Sequence, residues 1–546
     1  MKRFLLALLL AAAAASPSVH AADIPAAPRR DIPLRGLVLL RQEPLLGSET
    51  VAATTGVDAT RLGTWNHPDL QTIARDFVGQ PIAQPMFEAL RARLSGFFRE
   101  RFGLLTLVTL PPQEATSGVL QVVVTPSRIG EVQVTGARWF SEQVYRDSLP
   151  AAAVGNILDL IAVRAGVDDL NANAYRHAEL VLAPGTQPGT TNLTLQAHDR
   201  LPLRVFAGYN DTGTRSTSQD RVSAGFEWAN ALGRSDTFTY QYSGDPALER
   251  LRSHAVSYRA RLPRHQALTL TASSARIAAA VPAPLDQHGA STSVGLRYDL
   301  PLAPWREVSR SLSFTADYKR SDNNILFATI PITNNLTDIV EFGAGYALSR
   351  QTARGTTTLV ASVVASPGGL TERNHTRFFR ESRVGARADY VYGTLEFSQT
   401  QRLPWGLQGR ASVRGQLSSG NLLGTEQLAF GGAGSIRGYD DGEIYGDEGV
   451  LASYELRLPL FRGLARISPR VSDSLQPLWF VDSGWAHIHA PLVDESANYR
   501  FLSSGVGLRY QLNGFFSASA DYGWQCQAIA GRPRTQRAHL SASVSW

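Results

Sequence analysis

Residues 449–460 have the sequence GVLASYELRLPL, in which apolar and polar side chains alternate from Ala452 to Leu458. In an extended strand, successive side chains point to opposite faces of the sheet. One face would therefore carry only apolar residues, namely Val450, Ala452, Tyr454, Leu456, Leu458 and Leu460. The other face would carry Ser453, Glu455 and Arg457, which a small soluble barrel would not hold in its core. The pattern predicts a strand with lipid on one side and a wet lumen on the other.

Segments with this alternation recur from about residue 200 to the end of the chain, separated by turn residues and polar loops. Sixteen candidate strands can be delimited: 202–210, 221–231, 235–243, 250–262, 265–279, 291–301, 308–322, 336–348, 355–367, 387–400, 407–418, 448–460, 475–488, 501–513, 515–526 and 537–546. The number is even, as a bacterial single-chain barrel requires. We therefore predict an antiparallel transmembrane barrel over residues 200–546.

The connections between these strands alternate in length. Short ones follow the second, fourth, tenth and fourteenth strands, at 232–234, 264, 401–406 and 514, whereas those after the fifth, seventh, ninth, eleventh, thirteenth and fifteenth strands reach about ten residues or more. Short periplasmic turns and long extracellular loops are typical of outer-membrane barrels. The connection at 461–474 breaks this rule, because it is long although it should be periplasmic.

The chain ends on an aromatic residue. Leu540, Ala542, Val544 and Trp546 alternate with polar residues, and Trp546 is predicted to lie in the aromatic girdle and to act as a C-terminal barrel signal. A secreted, soluble all-β protein is the alternative. The alternating loop lengths and the terminal tryptophan argue against it.

The first residues are typical of a cleavable secretory signal. Lys2 and Arg3 precede an apolar run from Leu5 to Ala15, and the small-residue site Val19-His20-Ala21 follows. A membrane-spanning helix needs roughly 20 residues, more than this run supplies. We predict that residues 1–21 are removed and that residues 22–31 form a short extension. Because no later segment is long and apolar enough for a transmembrane helix, we expect the mature chain outside the cytoplasmic membrane.

Composition narrows the class of protein further. The net charge of +6 includes Lys2 and Arg3 of the predicted signal and is small for 546 residues, so no nucleic-acid partner is expected. Cys526 is the single cysteine, which excludes an intramolecular disulfide. Lys319 is the only lysine outside the signal, a bias that we attribute to genome composition because arginine replaces lysine throughout.

Residues 32–129 form the first of two predicted small modules. We predict a strand at 36–40, an amphipathic helix at 85–102 and strands at 104–110 and 118–124. Met86, Leu90, Leu94 and Phe98 have i, i+4 spacing on the helix, and Gly103 is its predicted C-terminal cap.

Residues 130–199 form the second predicted module. We expect strands at 130–134 and 191–196, a short helix at 141–149, a helix that Asn171 caps and that runs to about Leu182, and a turn at Pro184-Gly185. Both modules have the order strand, helices, strands. They are therefore predicted to be two copies of one α+β module.

The longest connection of the barrel region, residues 419–447, contains Ile436, Arg437, Gly438 and Tyr439. Loops of this length without secondary structure are uncommon unless they are functional. A later strand carries Phe480, Asp482 and Gly484 on its predicted lumen face. A carboxylate in that position needs a partner or water.

These two motifs, Arg-Gly-Tyr and Phe-x-Asp-x-Gly, resemble the paired motifs of transporters that combine POTRA (polypeptide-transport-associated) domains with an outer-membrane barrel. Leu110-Pro111-Pro112-Gln113 with Gly118-Val119-Leu120, and residues 199–204 with 208–214, are similar to the two-partner secretion branch. The resemblance spans roughly residues 32–546. The family is TpsB, the haemolysin secretion and activation exporters (ShlB/FhaC/HecB).

The resemblance implies two periplasmic POTRA domains, 32–129 and 130–199, followed by the all-β barrel in the outer membrane. It implies type V export of an unfolded TpsA-like exoprotein, a haemolysin or adhesin. Outer-membrane lipid and the barrel-assembly machinery, which would insert the chain, are further implied partners. The long loop, called loop 6, is implied to fold into the lumen, where Arg437 meets Asp482. A helix that plugs the pore is not expected, because Ala22–Asp31 contains two prolines.

Simpler interpretations remain for each of these residues. Arg437 would otherwise be a solvated loop arginine and Asp482 a hydrated lumen carboxylate, while Glu455 and Arg457 are candidate lumen charges.

Alternative functions belong to three classes. An insertase that assembles outer-membrane proteins shares the superfamily motifs, whereas a passive porin would not need residues 32–199. An enzyme would use Asp482, His487 and His489, or Ser503 and Ser504 near a histidine, but no metal or triad spacing stands out. We therefore expect neither catalysis nor a cofactor or metal.

Overall fold

The computed structural model describes residues 32–41, 53–281, 285–327, 330–463, 471–493, 495–529 and 531–546. The predicted signal peptide and the short extension after it lie outside the described residues. Contacts divide the chain into two compact units. The first comprises Met1–Gln133, Leu149–Val167 and Leu180–Thr194, and the second comprises Val134–Ser148, Asp168–Glu179 and Leu195–Trp546.

A four-stranded sheet lies in the first unit. Its strands are β1 (Gly36–Leu40), β2 (Gly56–Asp58), β3 (Thr106–Thr109) and β4 (Val119–Pro126), in the order β2-β1-β4-β3. β1 is parallel to β2 and β4, and β3 is antiparallel to β4. Every residue of β1 is buried because both faces of the sheet are covered, which explains its unbroken apolar sequence.

Two helices, α1 (Pro68–Arg75) and α2 (Gln84–Phe102), pack in the same core. α2 buries the four residues predicted to share one face and ends at Gly103, whose φ of 66° is left-handed. Both predictions are confirmed. The sequence reading missed α1, β2 and the 3₁₀ turn at Thr60–Trp65. None of the described helices combines the length and apolar composition that a membrane crossing needs.

The next sheet has the order β5-β7-β6, with β5 (Arg128–Thr135), β6 (Arg176–Pro184) and β7 (Thr190–Asp199). Its helices are α3 (Glu142–Asp147) and α4 (Leu160–Asn171). The predicted helix after Asn171 is wrong, because Asn171 ends α4 and a strand follows. Burial alternates residue by residue in the first part of β6, from Arg176 to Glu179, and the Asn171 amide exchanges hydrogen bonds of 2.7 and 3.0 Å with the Ala178 backbone.

Sixteen strands of the described chain close into an antiparallel barrel in the second unit. They are β8 (Leu203–Asn210), β9 (Arg221–Ala231), β10 (Asp236–Gly244), β11 (Leu251–Arg261), β12 (Ala267–Ala279), β13 (Leu285–Trp305), β14 (Val308–Phe327), β15 (Ile330–Thr352), β16 (Gly355–Pro367), β17 (Asp389–Arg402) and β18 (Gln408–Ser418), then, after the loop hairpin of β19 (Leu428–Phe430) and β20 (Ile444–Gly446), β21 (Glu448–Arg457), β22 (Asp473–His487), β23 (Asn498–Leu512), β24 (Phe516–Gln525) and β25 (Gln536–Ser545). The predicted barrel and its strand number are confirmed.

The connections alternate in length as predicted, except after the fifth and seventh strands. The long connections predicted there are wrong, because β13, β14 and β15 are longer than expected and leave only 280–284 and 328–329 between the strands. Six short ones lie at one end, at 232–235, 262–266, 306–307, 353–354, 403–407 and 513–515. The connection between β21 and β22 at that end is longer, and residues 464–470 of it are outside the described part. The opposite end carries residues 368–388, which include α5 (Thr376–Ser382), and loop 6.

The barrel closes between its first and last strands. β25 pairs with β8, and the Trp546 and Val205 backbones exchange two hydrogen bonds of 2.9 and 3.0 Å. The Trp546 side chain is 70% exposed on the barrel. Its assignment as a barrel signal stays a prediction.

Segments near residues 140, 175 and 199 belong to the same compact unit as the barrel. Arg176 is buried and donates to the Ser235 hydroxyl at 2.7 Å, in the turn after β9. Burial lowers the pKa of Arg176 to about 10 and raises that of Tyr145 to about 12. The Asp199 carboxylate accepts three backbone N–H groups, from residues 138, 139 and 140, at 2.9–3.1 Å. These residues form a polar cluster beside the turn that follows β9.

Candidate functional site in the barrel lumen

Register decides which side chains of β21 and β22 share the lumen. Ser453 lies opposite Asp482, and Glu455 lies opposite Phe480. Phe480 and Asp482 are fully buried, while Trp479 is 45% exposed on the outer face. The predicted alternation of lumen and lipid faces is therefore the observed one.

Loop 6 contacts these lumen residues through its tip, which we define as Ile436–Tyr439. Nε and Nη2 of Arg437 donate to the two oxygens of Asp482, each at 2.8 Å. The Arg437 backbone N–H donates to the same carboxylate at 3.0 Å, and the Ser453 hydroxyl donates to it at 2.6 Å. Asp482 thus accepts four hydrogen bonds, one of them from the loop backbone itself.

The rest of the guanidinium is also partnered. Nη1 of Arg437 donates to Glu455 at 2.8 Å, and the guanidinium carbon lies 3.6 Å from the centre of the Phe480 ring. Arg457 donates to the other Glu455 oxygen at 2.6 and 2.9 Å. Arg437 is only 5% exposed and Asp482 is 0% exposed. The pair is therefore less accessible to water than side chains in a water-filled lumen would be. The interpretations of Arg437 and Asp482 as solvated side chains do not fit this geometry.

Such a contact is costly to break from one side. A bidentate arginine–carboxylate pair is both directional and charge-assisted. Removal of one partner from a buried ion pair leaves an uncompensated charge, at a cost of about 3–5 kcal/mol. The arrangement can therefore hold the loop tip in one position.

Glycines allow the tip to touch the wall. Gly438 has a φ of 93°, and its N–H donates to Nε2 of His539 on β25 at 3.2 Å. A Cβ atom on Gly523 of β24 would lie 2.6 Å from the Gly438 nitrogen. Gly523 and His539 were not predicted from the sequence, since neither belongs to a recognised motif.

The remaining predicted residues complete the tip. Ile436 is buried in a cluster with Phe430 and Leu451, over the position of Gly484. The Tyr439 hydroxyl lies within hydrogen-bonding distance of two backbone carbonyls, those of Gln527 at 2.7 Å and Leu502 at 3.0 Å, and its single proton can be donated to either. All seven predicted motif residues are therefore brought to one place.

Acidic residues of loop 6 meet arginines elsewhere in the unit. Asp440 pairs with Arg215 and Arg537, and Glu443 pairs with Arg532 at 2.6 Å. At the end of the loop, buried Asp447 pairs with Arg383 of the connection after β16. Sequence alone offered only the excess of acidic residues in the loop as a signal for these contacts.

Of the residues considered for an enzyme, Ser503 lies opposite Asp482 in the register of β22 and β23, but Asp482 and the two histidines have other partners. Asp482 is occupied by Arg437, His487 contacts Asn498 at 3.1 Å, and His489 contacts Glu448 at 3.3 Å. Over the described ranges, no cluster of three or more histidine, cysteine, aspartate or glutamate side chains is arranged to hold a metal.

Comparisons with known proteins agree with this architecture. The family model described as haemolysin secretion/activation protein ShlB/FhaC/HecB matches residues 189–510, and the model of the ShlB-type POTRA domain matches residues 54–127. The outer membrane transporter CdiB of Dickeya dadantii is 23% identical over 371 residues, which are 66% of this chain and 64% of that protein. The hemolysin transporter protein ShlB of Serratia marcescens is 24% identical over 409 residues, 72% of this chain and 69% of that protein.

Solved structures share the fold. CdiB from Escherichia coli aligns with a TM-score of 0.68 at 17% identity, over 94% of this chain and 90% of that chain. BamA from Haemophilus ducreyi lacking POTRA domains 1–3 aligns with a TM-score of 0.54 at 14% identity, over 88% of this chain and 97% of that chain. Because the barrel family model covers more than half of the sequence, the chain belongs to the haemolysin secretion and activation family ShlB/FhaC/HecB, with its barrel in the outer membrane and its POTRA region in the periplasm.

Proposed function

We propose that this chain exports one large, unfolded exoprotein, TpsA-like in size and either a haemolysin or an adhesin, through its barrel to the cell surface. The observation that carries the proposal is the buried Arg437–Asp482 contact, which holds loop 6 inside the lumen. A passive pore needs no contact that holds a loop inside its lumen. A transporter does, because its pore must be closed to solutes when no substrate is present.

Substrate capture is proposed for the POTRA region, with domains at 32–129 and 130–199. In the order β2-β1-β4-β3, β3 is an edge strand among the described residues, and Leu107 on it is 43% exposed. An extended chain can add to such an edge through main-chain hydrogen bonds, which need little side-chain specificity. That mode suits an unfolded substrate.

Export then requires loop 6 to move, since its tip occupies the lumen. We propose that the tip residues Ile436–Tyr439 leave the motif of Phe480, Asp482 and Gly484 as the substrate passes. Glu455 and Arg457 would stay on the wall and guide the return of Arg437. Folding of the substrate outside the cell would supply directionality. In this proposal the chain is a transporter without catalytic activity.

The test begins with a search of the neighbouring genes for a large exoprotein, whose secretion is then measured. Cells would carry the wild type or Arg437→Ala at equal outer-membrane abundance, and the medium would be assayed. Arg532→Ala is the matched control, since Arg532 also pairs with loop 6 but is 66% exposed. We expect secretion by the wild type and the control and a severe loss with Arg437→Ala. Secretion that is unchanged in Arg437→Ala would contradict the role of the tip.

An insertase of the same superfamily is the second candidate, favoured by the likeness to the BamA fold. Its test is the assembly of other outer-membrane barrels after removal of this gene. The closed β25–β8 seam, which runs from Val205 to Asp211 on one side, supports the exporter instead. If unrelated barrels fail to assemble and no secreted partner is found, the insertase function would replace the export proposal.

A further inference from the structure

A second set of charges contacts loop 6, far along the sequence from the tip motif. Lys319 of β14 donates to Glu341 of β15 at 2.9 Å and to Glu426 of loop 6 at 2.6 Å. Tyr390 and Tyr392 of β17 donate to the same two carboxylates, at 2.6 and 3.0 Å. We call these five residues the lysine cluster.

The cluster is largely out of water. The Glu341 and Glu426 side chains are 2% and 3% exposed, and the Lys319 side chain is 29% exposed. Two buried carboxylates this close would repel each other, and the ammonium between them removes that repulsion. Lys319 therefore determines whether Glu426 can stay at this wall.

Apolar contacts hold the same part of the loop. We define residues 420–430 as the first limb of loop 6. Leu422 and Leu423 of this limb pack with Ile339 of β15, Phe379 of α5 and Tyr390. The Gln416 side chain donates to the Glu426 carbonyl at 3.0 Å. The limb is thus seated on the wall of β14, β15 and β17, whereas the tip is seated on β21 and β22.

The residue type is informative. Lys319 is the only lysine after residue 2, in a chain with 53 lysines and arginines in total. A lysine ammonium is a compact charge with three donors, while an arginine guanidinium is a wide planar fork. The compact group fits between two carboxylates that face each other.

We propose that Lys319 is a positioning residue that anchors the first limb of loop 6 independently of the Arg437–Asp482 contact at the tip. Loop 6 then pivots on this limb when the tip is released, and the whole loop does not leave the lumen. The inference rests on the proposed export function for its purpose, but the anchoring itself can be measured without any substrate.

The first experiment measures the two parts of the loop separately. Full-length protein carrying Cys526→Ser would be spin-labelled at Leu232→Cys, an exposed turn position, and at either Gly424→Cys in the limb or Gly434→Cys beside the tip. An added Cβ at Gly424 or Gly434 would meet no heavy atom within 4 Å, so both labels are tolerated. Pulsed electron resonance would give the distance distributions.

Lys319→Met should broaden the Gly424 distribution and leave that of Gly434 near the wild type, while Arg437→Ala should do the reverse. Lys319→Arg keeps the positive charge in a wider group, so it should restore only part of the narrow Gly424 distribution, whereas a purely steric role would restore none of it. Arg350→Met is the control, since Arg350 of β15 pairs with Glu307 at the surface. A Gly424 distribution that is unchanged in Lys319→Met, or equally broad in Arg350→Met, would overturn the proposal.

The second experiment is conductance in planar bilayers. We expect the open fraction to rise about tenfold in Lys319→Met. The corresponding loss of free energy is much smaller than the loss expected when one partner of a fully buried ion pair is removed. Glu426→Gln changes only the loop, so it keeps the test decisive if Lys319→Met does not fold, and its expected rise is smaller. An unchanged open fraction in both variants would refute the anchor. If the wild type secretes no exoprotein, the export proposal is refuted, but the anchoring role of Lys319 is not affected.

Discussion

Two of the contacts that hold loop 6, the tip contact and the lysine cluster, differ in kind. The tip contact joins Arg437 to Asp482, and both residues lie in short motifs that can be recognised in the sequence. The lysine cluster joins residues 22 and 107 positions apart, none of which belongs to a motif. Motif residues therefore identify one fixed point of loop 6, whereas the second fixed point depends on barrel register.

The largest effect is expected when both places are broken together. Arg437→Ala combined with Lys319→Met should raise the open fraction in bilayers by the product of the single effects, because sites without shared partners contribute additively in free energy. A double variant no more open than Arg437→Ala alone would mean that the tip controls the limb. The two anchors would then be one.

Within the tip, the two partners should differ. Arg437→Ala strands the buried Asp482 carboxylate, whereas Asp482→Ala leaves Arg437 paired with Glu455 at 2.8 Å. We expect Arg437→Ala to weaken tip docking by about 3–5 kcal/mol. Asp482→Ala should cost less, about 1–3 kcal/mol. The label at Gly434→Cys reports both, and equal broadening would argue against Glu455 as a supporting partner.

A steric change should release the tip without touching a charge. Gly523→Ala places a methyl group against the Gly438 backbone, where neither of the two backbone segments can move easily. Such overpacking costs about 1–3 kcal/mol. We expect broadening at Gly434→Cys and none at Gly424→Cys. A narrow Gly434 distribution in this variant would show that the tip and β24 are less closely packed than described.

The smallest effect is expected for Arg532→Ala. Its partner Glu443 lies in loop 6, but Arg532 is largely exposed, and exposed pairs contribute about 0–1 kcal/mol. Conductance should stay near the wild type, and any difference should disappear at high salt. A change as large as that of Arg437→Ala would mean that surface charge, and not burial, holds the loop.

Much of the architecture was predictable because its causes are local. Alternation with a period of two marks β9 and β16 to the residue, and Gly103 marks the end of α2. The helix predicted after Asn171 is wrong, and a strand is found there. Asn171 is a favourable N-cap residue, and that signal was given more weight than the alternating burial of Arg176, His177 and Ala178. Asn171 instead bonds the backbone of Ala178, a contact that becomes visible only when the chain turns back on itself.

The strand pattern, most of the connection lengths and the motif residues that meet at the tip could be derived from the sequence, because each depends on neighbours along the chain. The position of Lys319 between Glu341 and Glu426 and the contact of Gly523 with Gly438 become apparent only in the folded barrel. Those contacts depend on strand register and on the path of loop 6 through the lumen. Both are set by closure of the whole barrel, to which every strand contributes and which no single segment encodes.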